Sequence, residues 1–117
     1  MGTLSNTRLV PDGAGLRLSG TSEGERIVFQ PLQTVKVPVS VALRTQTISE
    51  TQGFMKALLA PADGKILGFT MIGPEAGELM AVVQMAMQGG LPYPVLRDAI
   101  LAHPTMAEGL NGLCSSA

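Results

Sequence analysis

The stretch PEAGELMAVVQMAMQGG, Pro74 to Gly90, constrains the fold of this 117-residue chain more than any other. Pro74 suits the first turn of a helix, where its missing N–H is not needed. Glu75 and Glu78 favour the positive end of the helix dipole. Gly89 and Gly90 stop the helix. Between Leu79 and Met87 the only polar residue is Gln84. A helix that is apolar all round must be covered on more than one side. A sheet can cover one face, and another helix or another subunit must cover the other.

The composition agrees. Hydrophobic residues make up 45% of the chain, a normal globular fraction, but charged residues only 15%, well below the usual ~25%. A small domain so poor in charge hides surface against a partner. The net charge is -1 and there is no basic block, which argues against nucleic acid and acidic membranes as partners. No window approaches the ~18 apolar residues of a membrane span, and the first 19 residues carry no signal-peptide core. The single cysteine, Cys114, makes no internal disulfide, so a reducing, cytoplasmic setting is expected. Near the C-terminus, Cys114 reads as an incidental thiol on a frayed tail.

The length suits one compact domain. Residues 1 to about 50 have β character. VPDGAG reads as a turn built on Pro11, Asp12 and Gly13, and GLRLSG and ERIVFQ read as strands. TVKVPVSVAL places Val35, Val37, Val39 and Val41 in phase as one more strand, which Pro38 demotes to an edge or a bulge. GFMKALLA and KILGFTMIG, joined by the reverse turn Pro61-Ala62-Asp63-Gly64, predict a β-hairpin. YPVLRDAILAH reads as a short helix whose Leu96, Ala99, Ile100 and His103 follow helical spacing, and Pro104 ends it. Thr105 then opens a last helix anchored by Leu110 and Leu113. The expected fold class is α+β, an antiparallel sheet with helices packed on one face.

His103 is the only histidine. Thr105 and Glu108 have the T-x-x-E spacing of a capping box, which alone accounts for both. The functional alternative pairs His103 with Glu108: a carboxylate fixes the tautomer through one ring nitrogen and leaves the other to exchange protons. No partner nucleophile is identifiable, no metal-ligand spacing is present, and GAGLRLSG lacks the third glycine of a dinucleotide fingerprint. If His103 does chemistry, that chemistry is housed elsewhere.

Residues 45 to 113 resemble the C-terminal dimerisation domain of the FAD-dependent pyridine nucleotide-disulfide oxidoreductases, the family of glutathione reductase, dihydrolipoamide dehydrogenase and mercuric reductase. The resemblance rests on Gly53-Phe-x-Lys56, KILGFTMIG, GPEAGEL and H-P-T-x-x-E at His103 to Glu108, in that order. It divides the chain into an unmatched β-rich segment, 1–44, and a dimerisation domain, 45–117. It implies a homodimer in which His103 reaches the partner subunit's redox site as acid and base, with Glu108 orienting it. The helix beginning near Pro74 would contribute to the subunit interface.

FAD and NAD(P)H would belong to the other domains of a parent enzyme. This chain carries no GxGxxG, no CxxxxC pair and no metal or cofactor residues of its own, and alone it is expected to be inactive. GLPYPVLRDAILAHPTMAEGLNGL resembles the reactive-chlorine-resistance branch. Mercuric reductases commonly lack this histidine and end in a cysteine pair, so mercury is not the expected substrate. A second reading is an orphan homodimeric interaction module that kept the fold without redox activity.

Overall fold

The computed structural model describes residues 8–12, 15–19, 26–29 and 31–117, with side chains from residue 31 onward. The chain forms two compact units, Met1–Leu32 and Gln33–Ala117. The division falls upstream of residue 45 because the strand beginning at Gln33 belongs to the sheet of the second unit.

The first unit is an antiparallel meander of β1 (Arg8–Asp12), β2 (Gly15–Ser19) and β3 (Arg26–Phe29). Pro11 and Asp12, expected in a turn, are the last residues of β1, and Asp12 pairs with Gly15. Gly13, the third residue of that expected turn, lies outside the described residues.

The second unit is α+β. A three-stranded antiparallel sheet, ordered β4 (Gln33–Pro38), β5 (Phe54–Leu59) and β6 (Ile66–Ile72), carries helices on one face. These are α1 (Leu43–Thr47), α2 (Ala76–Gln88), α3 (Tyr93–Arg97) and α4 (Gly109–Ser115). Side chains alternate across a strand, and β5 shows it: Met55, Ala57 and Leu59 are buried, while Lys56 is exposed. The buried set meets Leu79, Val83 and Ala86 of α2, Leu96 of α3, and Leu110, Leu113 and Cys114 of α4 in one core. On the open face Lys36 is paired with Lys56 across the strands, and its ammonium lies 4.4 Å from the centre of the Phe54 ring.

The hairpin forms as its turn residues demand. Ala60 N–H donates to Lys65 O at 2.9 Å, Asp63 Oδ1 accepts from Lys65 N–H at 3.0 Å, and Gly64 takes φ +72°. Gly53, just before β5, takes φ +124°, and a Cβ there would stand 1.9 Å from Ile72 O. Only glycine fits that approach.

The valine run does not continue as a strand. β4 stops at Pro38, and Val39–Val41 form a 3-10 turn leading into α1, a helix absent from the sequence expectation. Proline cannot donate to the ladder, and past it the buried residues are Val39, Ala42 and Thr45, three apart, so the period becomes helical. Val41 is exposed. Thr45, fully buried, donates its hydroxyl proton to Ala42 O at 2.8 Å.

α2 begins at Ala76, after Pro74 and Glu75 rather than with them. Glu75 adopts a left-handed conformation (φ 56°), and its carbonyl accepts from Glu78 and Leu79 N–H. The expected stop holds: Leu91 N–H reaches Ala86 O, Gly90 N–H reaches Met87 O, and Gly90 takes φ +65°, a Schellman motif. The core takes one side of α2. Val82 and Met85 on the other side stay exposed, Met85 by 61%.

α3 is shorter than expected, ending at Arg97, so Ala99, Ile100 and His103 lie beyond it in irregular chain. Ile100 is fully solvent-exposed rather than part of an apolar stripe. α4 starts at Gly109, preceded by turns from Met106, with Leu110 and Leu113 buried as expected. Cys114 is not on a frayed tail. It is 3% exposed inside α4, and burial pushes its thiol up to about 11.

Candidate functional site

The segment Asp98–Glu108 joins α3 to α4 and carries His103. Among the described residues, no backbone carbonyl accepts from its N–H groups between Ala99 and Thr105, so side chains shape it. Thr105 donates its hydroxyl proton to Ala102 O at 2.7 Å, one residue before His103. The His103–Pro104 peptide is cis.

Glu108 closes the segment. Its Oε2 accepts the Thr105 N–H at 2.9 Å, the glutamate half of a capping box. The threonine half is absent, because the Thr105 hydroxyl faces Ala102 instead. The same carboxylate meets Nδ1 of His103 with both oxygens, Oε1 at 3.0 Å and Oε2 at 3.1 Å. One group therefore serves both the cap and the imidazole. The Thr105 N–H, followed by His103, holds the Glu108 carboxyl below the usual carboxylate range against the opposing effect of its partial burial.

This geometry has a direct chemical consequence. An ionised carboxylate only accepts hydrogen bonds, so a neutral His103 facing Glu108 carries its proton on Nδ1. That leaves the Nε2 lone pair without a partner among the described residues, and the side chain is 62% exposed. One ring nitrogen is held by its own chain, an arrangement that chemically leaves the other able to exchange a proton.

The two residues singled out from the sequence, His103 and Glu108, are thus brought together. Sequence reasoning missed Asn111. From the first turn of α4, its amide nitrogen donates toward Leu96 O at 2.7 Å, Ala99 O at 3.1 Å and Arg97 O at 3.3 Å. No spacing rule flags a single asparagine whose partners lie 12 to 15 residues away. Among the described residues there is no cluster of three or more His, Cys, Asp or Glu able to hold a metal ion. No helix among them is long and apolar enough to cross a membrane.

Comparison with known proteins gives the class of the chain. The family model of the pyridine nucleotide-disulphide oxidoreductase dimerisation domain matches residues 20–113, starting upstream of the motifs that carried the sequence resemblance. The chain is 35% identical over 99 residues to the probable pyridine nucleotide-disulfide oxidoreductase RclA of Escherichia coli strain K12, covering 85% of this chain and 22% of that protein. It is 33% identical over 100 residues to the dihydrolipoyl dehydrogenase of Thermus scotoductus, covering 86% of this chain and 21% of the relative. The solved structure of the HOCl-induced flavoprotein disulfide reductase RclA from Escherichia coli aligns with TM-score 0.69 at 32% identity, over 86% of this chain and 23% of that one.

The chain belongs to the pyridine nucleotide-disulfide oxidoreductase family, as its dimerisation domain. It spans about a fifth of the length of these relatives.

Proposed function

We propose that this domain presents His103 and Glu108, as an acid–base pair, to the redox-active thiols of the partner subunit in a homodimeric, NAD(P)H-dependent flavoenzyme of the cytoplasm. The observation that carries the reading is the two-oxygen grip of Glu108 on Nδ1 of an imidazole side chain that is otherwise largely exposed. Nε2 takes the proton of a thiol as its thiolate forms, and returns it to the thiolate that leaves. Glu108 stabilises the imidazolium between the two events and keeps the ring from turning. FAD and NAD(P)H, bound by other domains of such an enzyme, supply the reducing electrons.

The test uses the enzyme that carries this domain. His103→Gln is expected to lower disulfide turnover by roughly 10²–10⁴-fold, the usual weight of general acid–base catalysis, with flavin reduction by NAD(P)H unchanged. Unchanged turnover would sink the proposal. The chain by itself is expected to be a dimer in light scattering. A dimer combined with a neutral His103 substitution in the enzyme would support the other reading, an interaction module without a part in the chemistry.

A further inference from the structure

We infer that Asn111 is a positioning residue for His103, acting through the loop that carries it. The inference rests on the proposed acid–base role but concerns a residue outside the His–Glu pair.

Helix α3 ends with carbonyls that a longer helix would satisfy. Continued, the helix would direct Ile100 N–H to Leu96 O, and the next N–H to Arg97 O. Neither bond forms. The Asn111 amide nitrogen faces both oxygens and Ala99 O as well, at 2.7–3.3 Å. Three acceptors converge on one amide, so its NH₂, not its carbonyl, must point at them. Asn111 therefore replaces the next turn of α3, and lets the chain leave the helix in a fixed direction.

What lies beyond depends on that direction. Between Ala99 and His103 the chain makes no backbone-to-backbone hydrogen bond among the described residues, and Ile100 is fully exposed, so core packing does not hold it there. Two side chains suspend the segment: Asn111 at Ala99, and Thr105 at Ala102. Asn111 also sits one turn beyond Glu108 on the same stretch of chain, and its N–H donates to Glu108 O at 3.1 Å. The first turn of α4 thus holds the loop with one side chain and the imidazole with another. If the loop loosens, the Nδ1-to-carboxylate contact loosens while the carboxylate itself stays in place.

The experiment reads the ring directly. Nitrogen-15 spectra of histidine-labelled chain at a pH where the ring is neutral should show one tautomer in the wild type, with the proton on Nδ1. In Asn111→Ala the two ring nitrogens should move toward averaged shifts, while the Leu110 and Leu113 methyl signals keep their native positions. Asn111→Gln, which retains an amide donor, should recover part of the single-tautomer signature. An Asn111→Ala spectrum that keeps the single tautomer would overturn the inference. So would unfolding of both variants, which would assign Asn111 to the fold alone.

In the enzyme, Asn111→Ala should lower disulfide turnover about tenfold with flavin reduction kept. A lost tautomer with unchanged turnover would leave the positioning role standing and sink the acid–base proposal instead.

Discussion

Nδ1 of His103 lies 3.0 Å from Oε1 and 3.1 Å from Oε2 of Glu108, while Oε2 also accepts the Thr105 N–H at 2.9 Å. Three short contacts thus favour the ionised carboxylate, and they hold its pKa below the ordinary 4.5. A carboxyl with a depressed folded pKa stabilises the fold above its ordinary value and loses that contribution as pH falls through the folded one. Glu108→Gln should therefore unfold at lower urea than wild type at pH 7, and the two midpoints should converge as pH drops below 4.5. Midpoints that stay equally far apart down to about pH 3 would show that the charge contributes nothing.

Cys114 has the opposite sign. Burial raises its thiol pKa from 9.0 to about 11, because the thiolate would lie in an apolar core. The protonated form is the stabilising one: its contribution is complete below pH 9.0 and is lost as pH rises through about 11. Native chain should therefore react with a thiol reagent at pH 8 far more slowly than chain unfolded in urea. Equal rates would mean that the α4 helix opens readily.

The hairpin, the apolar helix and its glycine stop were legible because each rests on a local rule. Alternation, a Pro-Ala-Asp-Gly turn and two adjacent glycines specify their geometry without reference to the rest of the chain. Leu110 and Leu113 were legible for the same reason. The errors arose where one residue overrides a period. Val39 and Val41 extend the alternation of Val35 and Val37, but Pro38 ends the ladder, and burial then follows Val39, Ala42 and Thr45. Ile100 and His103 match helical spacing, yet the carbonyls that would carry the helix onward are taken by Asn111, more than ten residues downstream. The pairing of His103 with Glu108 could be posed from H-P-T-x-x-E. Its two-oxygen geometry could not, since it depends on the loop held by Thr105 and Asn111.

Gly53 precedes the Phe54–Leu59 strand in a conformation that an L side chain rarely adopts, φ +124°, with the Ile72 carbonyl directly against its α-carbon. Backbone atoms cannot swing aside as a side-chain tip can. Gly53→Ala should cost more than about 2 kcal/mol, combining left-handed strain with displacement of the β5–β6 pairing. Urea denaturation measures it. A loss under about 0.5 kcal/mol, typical of a surface site, would show that the strand opens without cost at this point.

The apolar helix α2 raises the last question, because among the described residues the core covers only one of its sides. Leu79, Val83 and Ala86 enter the core, whereas Val82 and Met85, three residues apart, face outward. An exposed methionine and valine on one helix face contribute little to a monomer, and the expected outcome is that a second copy buries them. Two substitutions separate these roles. Leu110→Ala, at a fully buried site, should destabilise the fold by about 3 kcal/mol through transfer and cavity terms. Met85→Asp should change monomer stability by no more than about 0.5 kcal/mol, yet convert the chain from dimer to monomer, since an unpaired carboxylate would be buried across the interface. Light scattering and urea denaturation at two protein concentrations distinguish the two. The wild-type midpoint should rise with concentration and the Met85→Asp midpoint should not. A Met85→Asp chain that remains dimeric would move the subunit interface away from this face of α2.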